Sequence, residues 1–186
     1  MKRLRKTILI FIILFGVIVL WYWADKMDYF QSDYKEYSPE EERLFKWQDG
    51  DNDEKLKNRY ESNFSNDNYT FPRQKVHSIR LFKNIPMIST FSSKSLNRNQ
   101  IDKFLMFCND TTNFSWAETT WDISESEYYF RLYNQENKVV GKIYFCIDKC
   151  GMISSKPFCP SMKFGALSEI GRINIKTFIE NQENWK

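Results

Sequence analysis

The sequence has one histidine and six glycines in 186 residues, and both shortages exclude chemistry. No G-x-S-x-G, H-E-x-x-H or Walker pattern occurs, so the familiar nucleophile elbows, zinc helices and phosphate cradles have no carrier. His77 shares a predicted strand face with Ile79 and Leu81, where a structural histidine is the simpler reading. A hydrolase built on His77 and scattered acids needs a mutual placement that the spacing does not supply. No catalytic residue and no cofactor is therefore expected. Charge of one sign is also lacking. Of 27 Lys and Arg, Lys2, Arg3, Arg5 and Lys6 precede the first acid, Asp25; the other 23 face 24 Asp and Glu. A near-neutral body has no clustered cations to replace nucleic-acid counterions, so no nucleic-acid partner is expected.

Metal-ligand spacing is missing as well. Cys146-x₃-Cys150 has no second close Cys or His pair to complete a zinc site, and it is not a C-x-x-C opening a helix. Asp49, Asp51 and Asp53 begin like a calcium loop. Glu54 then stands where the turn glycine belongs and Tyr60 where the bidentate Glu belongs, so no metal is expected. Asp122, Glu125 and Glu127 form another acidic group, read as a polar loop ahead of a strand.

What the chain does have is one long apolar run. Thr7–Trp23 contains 17 uncharged residues and ends in Trp21, Tyr22 and Trp23. As a helix it covers roughly 25 Å, enough to span a bilayer when flanking Lys6 and Lys26 snorkel. The aromatic cluster suits the headgroup region. Signal-peptide cleavage is disfavoured because a site after Ala24 would place Tyr22 at its −3 position. The expected arrangement is a cytoplasmic basic tail (1–6), a transmembrane helix (7–23) in the lipid bilayer, and an exported remainder. Four cations before the span against Lys26 after it put the N-terminus inside. The localisation expected is thus a single-pass protein of the inner (plasma) membrane with a periplasmic or extracytoplasmic domain.

Residues 24–70 read as a polar juxtamembrane linker with a short helix near 39–48. Ser38-Pro39-Glu40-Glu41 supplies a capping box and a first-turn proline. Asp49–Thr70 has no clear period and is predicted as loop or stalk. From 71 to 186 the pattern predicts an exported α+β domain, an antiparallel sheet with helices packed on one face. Val76–Phe82 is a predicted strand. Ile101, Phe104, Leu105 and Cys108 form one buried helical stripe. Phe114–Trp121 is a further predicted strand.

Tyr128–Tyr133 and Lys138–Ile147 form a hairpin. Pairing Tyr133 with Lys138 sets Leu132 opposite Val139, Phe130 opposite Gly141 and Tyr128 opposite Ile143. Tyr128, Phe130, Leu132, Val139, Ile143, Phe145 and Ile147 then face the core. Met152–Phe158 leads out of a second turn, with Pro157 and Pro160 marking an edge strand or its end, and a last helix lies within Gly171–Gln182.

Two groups of residues stand out. Four cysteines beyond a membrane segment indicate disulfides, and the expected pairing is Cys146–Cys150 with Cys108–Cys159. The helical stripe offers a buried free thiol as the competing reading of Cys108. The second group is the other hairpin face, Tyr129, Arg131, Tyr133, Lys142 and Tyr144, rich in residue types that dominate binding hot spots. Its alternative is burial beneath the juxtamembrane helix through Leu44, Phe45 and Trp47.

The function expected is a membrane-anchored, non-enzymatic module that binds an unidentified protein. An immunity-type role against an incoming toxin is one version, on class analogy alone. An assembly or scaffold subunit is the alternative, though Gly16 alone gives no GxxxG motif for tight helix pairing.

Overall fold

The computed structural model describes residues 2–26, 31–64, 69–85, 93–117 and 121–183. It contains five helices and a seven-stranded antiparallel sheet. The helices are α1 (Lys2–Lys26), α2 (Pro39–Arg43), α3 (Asp53–Phe64), α4 (Arg98–Asn109) and α5 (Glu169–Glu183). The strands are β1 (Ser78–Lys83), β2 (Ser93–Ser95), β3 (Phe114–Ser115), β4 (Tyr128–Tyr133), β5 (Val139–Cys146), β6 (Met152–Lys156) and β7 (Ala166–Leu167), in the order β2-β1-β4-β5-β6-β7-β3. The architecture is the α+β arrangement that the change of period predicts.

The apolar run lies within α1, where Arg5–Ala24 is long and apolar enough to cross a membrane. None of its large apolar side chains is buried; Leu20 is 71% exposed. An apolar surface of this extent favours surroundings from which water is excluded.

Helices α4 and α5 pack on one face of the sheet. Ile101, Phe104 and Cys108 of α4 and Ile175 and Ile179 of α5 meet Ile79, Leu81, Phe130, Leu132, Ile143, Phe145 and Ile153 in one core. Asn97 caps α4 through a capping box with Gln100. Gly171 lets α5 approach the chain closely, since a Cβ there would stand 2.0 Å from the carbonyl oxygen of Asn113.

Two expectations about the hairpin and one about the linker are corrected. The register is displaced by two residues: Leu132 lies opposite Gly141, Phe130 opposite Ile143 and Tyr128 opposite Phe145. A break in register between Leu132 and Tyr133 then sets Tyr133 opposite Val139 and brings Val140 into the core beneath the helices, while Val139, equally buried, lies outside that cluster. Such a bulge flips the alternation on one strand, and composition alone does not announce it. The ring covering Gly141 belongs to Phe71, whose Cζ lies 3.0 Å from where a Cβ would stand.

The stretch read as loop or stalk contains α3. Together with Tyr37, Phe45 and Tyr69 it builds a second aromatic core: Leu56 and Tyr60 are buried there, with Trp116 and Phe164 against them. The capping box of Ser38 and Glu41 forms as predicted, but α2 ends at Arg43. Of the predicted strand Phe114–Trp121, Phe114 and Ser115 form β3, and residues 118–120 lie outside the described residues; β2 and β7 have no counterpart among the sequence expectations. All three lie at or near the sheet's ends, where short pairs carry little periodicity.

Candidate functional site

A cleft of about 920 Å³ lies where the aromatic core meets the edge of β6. One wall is α2 with the turn that follows and α3, contributing Glu42, Phe45, Lys46 and Tyr60. The other is Ile153–Ser155 of β6 and the segment from Phe158 to Gly165. The walls meet through rings packed at steep angles. Phe45 meets Tyr60 at 5.1 Å and Phe158 at 5.8 Å; Tyr60 meets Phe164 at 5.8 Å and Trp116 at 5.2 Å. The Tyr60 hydroxyl donates to the carbonyl of Phe45 at 2.9 Å, tying the two helical segments together.

Arg59 fixes the same wall from behind. Its guanidinium grips both oxygens of Asp51 at 2.7 and 3.0 Å and donates to the carbonyls of Leu44 and Lys46. These hydrogen bonds, with a second from the Gln48 amide, pull the Asp51 carboxyl down to about 2. Asp51 is therefore committed to Arg59, and no group of three or more potential metal ligands occurs among the described residues.

Two cations and one acid line the cleft. Half-buried Glu42 pairs with the exposed Lys46. Lys163, at a left-handed φ of 53°, turns its ammonium onto the carbonyls of Thr111 and Phe114 at 3.1 and 2.6 Å. Partial burial lowers its pKa. Behind Phe45 and Phe158, Tyr37 lies under the Arg73 guanidinium at 4.4 Å. Its buried hydroxyl finds no hydrogen-bond partner among the described residues, and burial raises its pKa.

The face expected to receive a partner is enclosed by the chain itself. Tyr129, Arg131, Tyr133 and Lys142 are only 5, 3, 8 and 4% exposed, and Tyr144 is half-buried. Nor is this the alternative burial beneath a juxtamembrane helix: Leu44 and Phe45 belong to the aromatic core, and Trp47 is exposed. The face is built in rows. Arg80, Arg131, Lys142 and Lys156 stand directly opposite one another across four strands. Like charges so placed repel. The neighbouring row, Phe82, Tyr129 and Tyr144, offsets this with ring faces. Phe82 and Tyr129 stack at 4.7 Å and 1°; Arg131 lies 5.2 Å from Phe82 and 5.6 Å from Tyr129, and Lys142 sits about as close to Tyr129 and Tyr144. A cation over a buried ring gains about 2 kcal/mol, which makes these residues structural.

The cysteines divide. Cys146 and Cys150 are bonded to each other across the turn after β5. Cys108 and Cys159 are free buried thiols, with the Cys159 sulfur 3.7 Å from the carbonyl oxygen of Cys108, so the expected second bridge is not formed. Burial pushes both thiols up, Cys159 to about 12. His77 is exposed and lines none of the described cavities. Asp122 caps a short 3-10 turn, and the Glu127 carboxylate accepts from the amides of Ile147–Lys149.

Sequence reasoning missed the cleft. Its only trace was the density of aromatic residues in an otherwise polar stretch, Tyr37, Phe45, Tyr60 and Tyr69, which have no shared period. Comparison with protein-family models, curated proteins and solved structures found no match for the chain.

Proposed function

We propose that this chain is a single-pass membrane protein, N-terminus cytoplasmic, whose extracytoplasmic α+β domain binds another protein without catalysing a reaction. The exposed apolar surface of α1 supports the anchor, and the cations preceding the span support its orientation. The observation that carries protein binding is the aromatic cleft at the sheet edge. It lies outside the enclosed tyrosine–arginine face, with Phe158 and Phe164 as its accessible rings and the buried Phe45 and Tyr60 as its base. Aromatic walls with a few charges at the rim suit recognition of a polypeptide. An immunity-type role is one version of this reading and a scaffold subunit another.

Two measurements test it in cells. Alkaline phosphatase fused after Lys186 is active only outside the cytosol and green fluorescent protein folds best within it, so the phosphatase fusion alone is expected to give signal. A photo-crosslinking residue at Phe158 is expected to trap one protein repeatedly, and the same residue at Ile173 on α5 to trap none. An active cytosolic fusion, or identical products from both positions, contradicts the proposal.

A further inference from the structure

Resting on the protein-binding reading, we propose that the cleft takes one extended segment of a partner polypeptide, added as a strand to β6 at Ser155. Its side chains would lie against Phe158 and Phe164.

The backbone of β6 supplies the first argument. The Ile153 N–H donates to the carbonyl of Gly165 at 2.7 Å, so the main-chain groups of Ile153 point away from β5. Backbone direction alternates along an antiparallel pair. Ser155, opposite Ile143, therefore points the same way. By then β7 has parted from β6: their ladder consists of Met152 opposite Ala166, and the chain turns off through Lys163 and Gly165, at φ 53° and 90°. The Ser155 N–H and C=O thus face the cleft that Ser155 lines. A donor and an acceptor spaced along one strand are matched by another strand. Pro157, which has no N–H, ends the available edge.

The walls narrow the occupant further. A pairing of this length gives few hydrogen bonds, so affinity would come from alternate side chains packed against the accessible rings of Phe158 and Phe164. The lining asks for no particular charge: Glu42 and Lys46 offset one another, and the Lys163 ammonium is engaged by the carbonyls of Thr111 and Phe114, by the Trp116 ring at 5.3 Å and by the charge of Glu61.

The test uses the full chain in lipid nanodiscs, panned against a phage-displayed library of random linear peptides of about twelve residues. Enriched sequences are then measured as labelled synthetic peptides. Sequences with alternating apolar residues are expected. Ser155→Pro is expected to weaken binding about tenfold or more. The substitution removes an N–H that β5 does not use. In the wild-type protein saturated with peptide, exchange of the Ser155 amide is expected to slow by a similar factor, which decides the matter should the proline variant fail to fold. Peptides that bind with Ser155 exchange unchanged overturn strand addition while leaving protein binding intact. Absence of enrichment over empty nanodiscs, or Ser155 protection arising from self-association alone, also overturns it. The wider reading is judged separately, by the fusions and the crosslinks.

Discussion

The Val139 N–H donates to the carbonyl of Gln31 at 2.6 Å, and the Val139 carbonyl accepts from the Asp33 N–H at 2.8 Å. The chain therefore joins the sheet five residues after α1 ends at Lys26. It does so where β6 no longer covers β5, since the β5–β6 ladder stops at Lys142. At no more than about 3.6 Å per residue, the intervening chain keeps this corner of the sheet within about 18 Å of the end of α1.

Asp33→Pro removes one of those two bonds and leaves the buried Val139 carbonyl without its donor. The expected cost is about 1–3 kcal/mol, the penalty of an unsatisfied buried group. Urea denaturation of the variant, with the slope unchanged and the midpoint lowered, checks it.

Gly171→Ala sets two effects against each other. Alanine gains at most about 1 kcal/mol of helix propensity. The new Cβ would stand 2.0 Å from the Asn113 oxygen, a backbone atom that already accepts from Ser168. Overlap with backbone outweighs propensity, and a net loss of about 2 kcal/mol or more is expected. A variant as stable as the wild type would mean that α5 does not lie this close to the turn.

Tyr129→Ala separates an interior stack from a binding surface. Its ring lies between Phe82, Tyr144 and two cations, and removing it should cost about 3–5 kcal/mol. Calorimetry should show a lower Tm in the absence of any partner. Unchanged stability would restore the view of this face as a docking surface.

The Arg59–Asp51 pair predicts an acid-sensitive step. Asp51 holds its proton only below about 2 in the folded chain, whereas an unfolded Asp titrates near about 3.9. The folded state thus binds that proton last. Its contribution is present above about pH 4 and is lost as pH falls from there through about 2. Asp51→Asn should be less stable than wild type at pH 7, with the difference closing across that window. A constant difference down to pH 2 would exclude the linkage.

Thiol counting tests the sulfur arrangement. Cys108 and Cys159 are fully buried with raised pKa values, so neither should react with a maleimide in the native protein. Unfolding without reductant should expose two reactive thiols, and adding reductant four. Mass spectrometry reads each step, and no reactive thiol on unfolding would mean a second bridge.

The sequence by itself determined the elements whose signal is local. The apolar run of Thr7–Trp23, the capping box at Ser38 and the stripe of Ile101, Phe104 and Cys108 each depend on residues within a turn or two. The turn between Cys146 and Cys150 is likewise short enough for their bond to be read from spacing. Only the tertiary structure decided what covers what. Whether Arg131 is a surface hot spot or a buried cation depends on β1, some fifty residues upstream, which sets Phe82 beside Tyr129 and Arg80 opposite Arg131. The cleft depends on two regions about a hundred residues apart, Phe45–Tyr60 and Ile153–Gly165, and on where β7 turns away from β6. Periodicity reports which side of its own element a residue faces. It carries nothing about the distant segment that arrives there, because that contact is fixed by chain topology and by the bulge at Leu132–Tyr133.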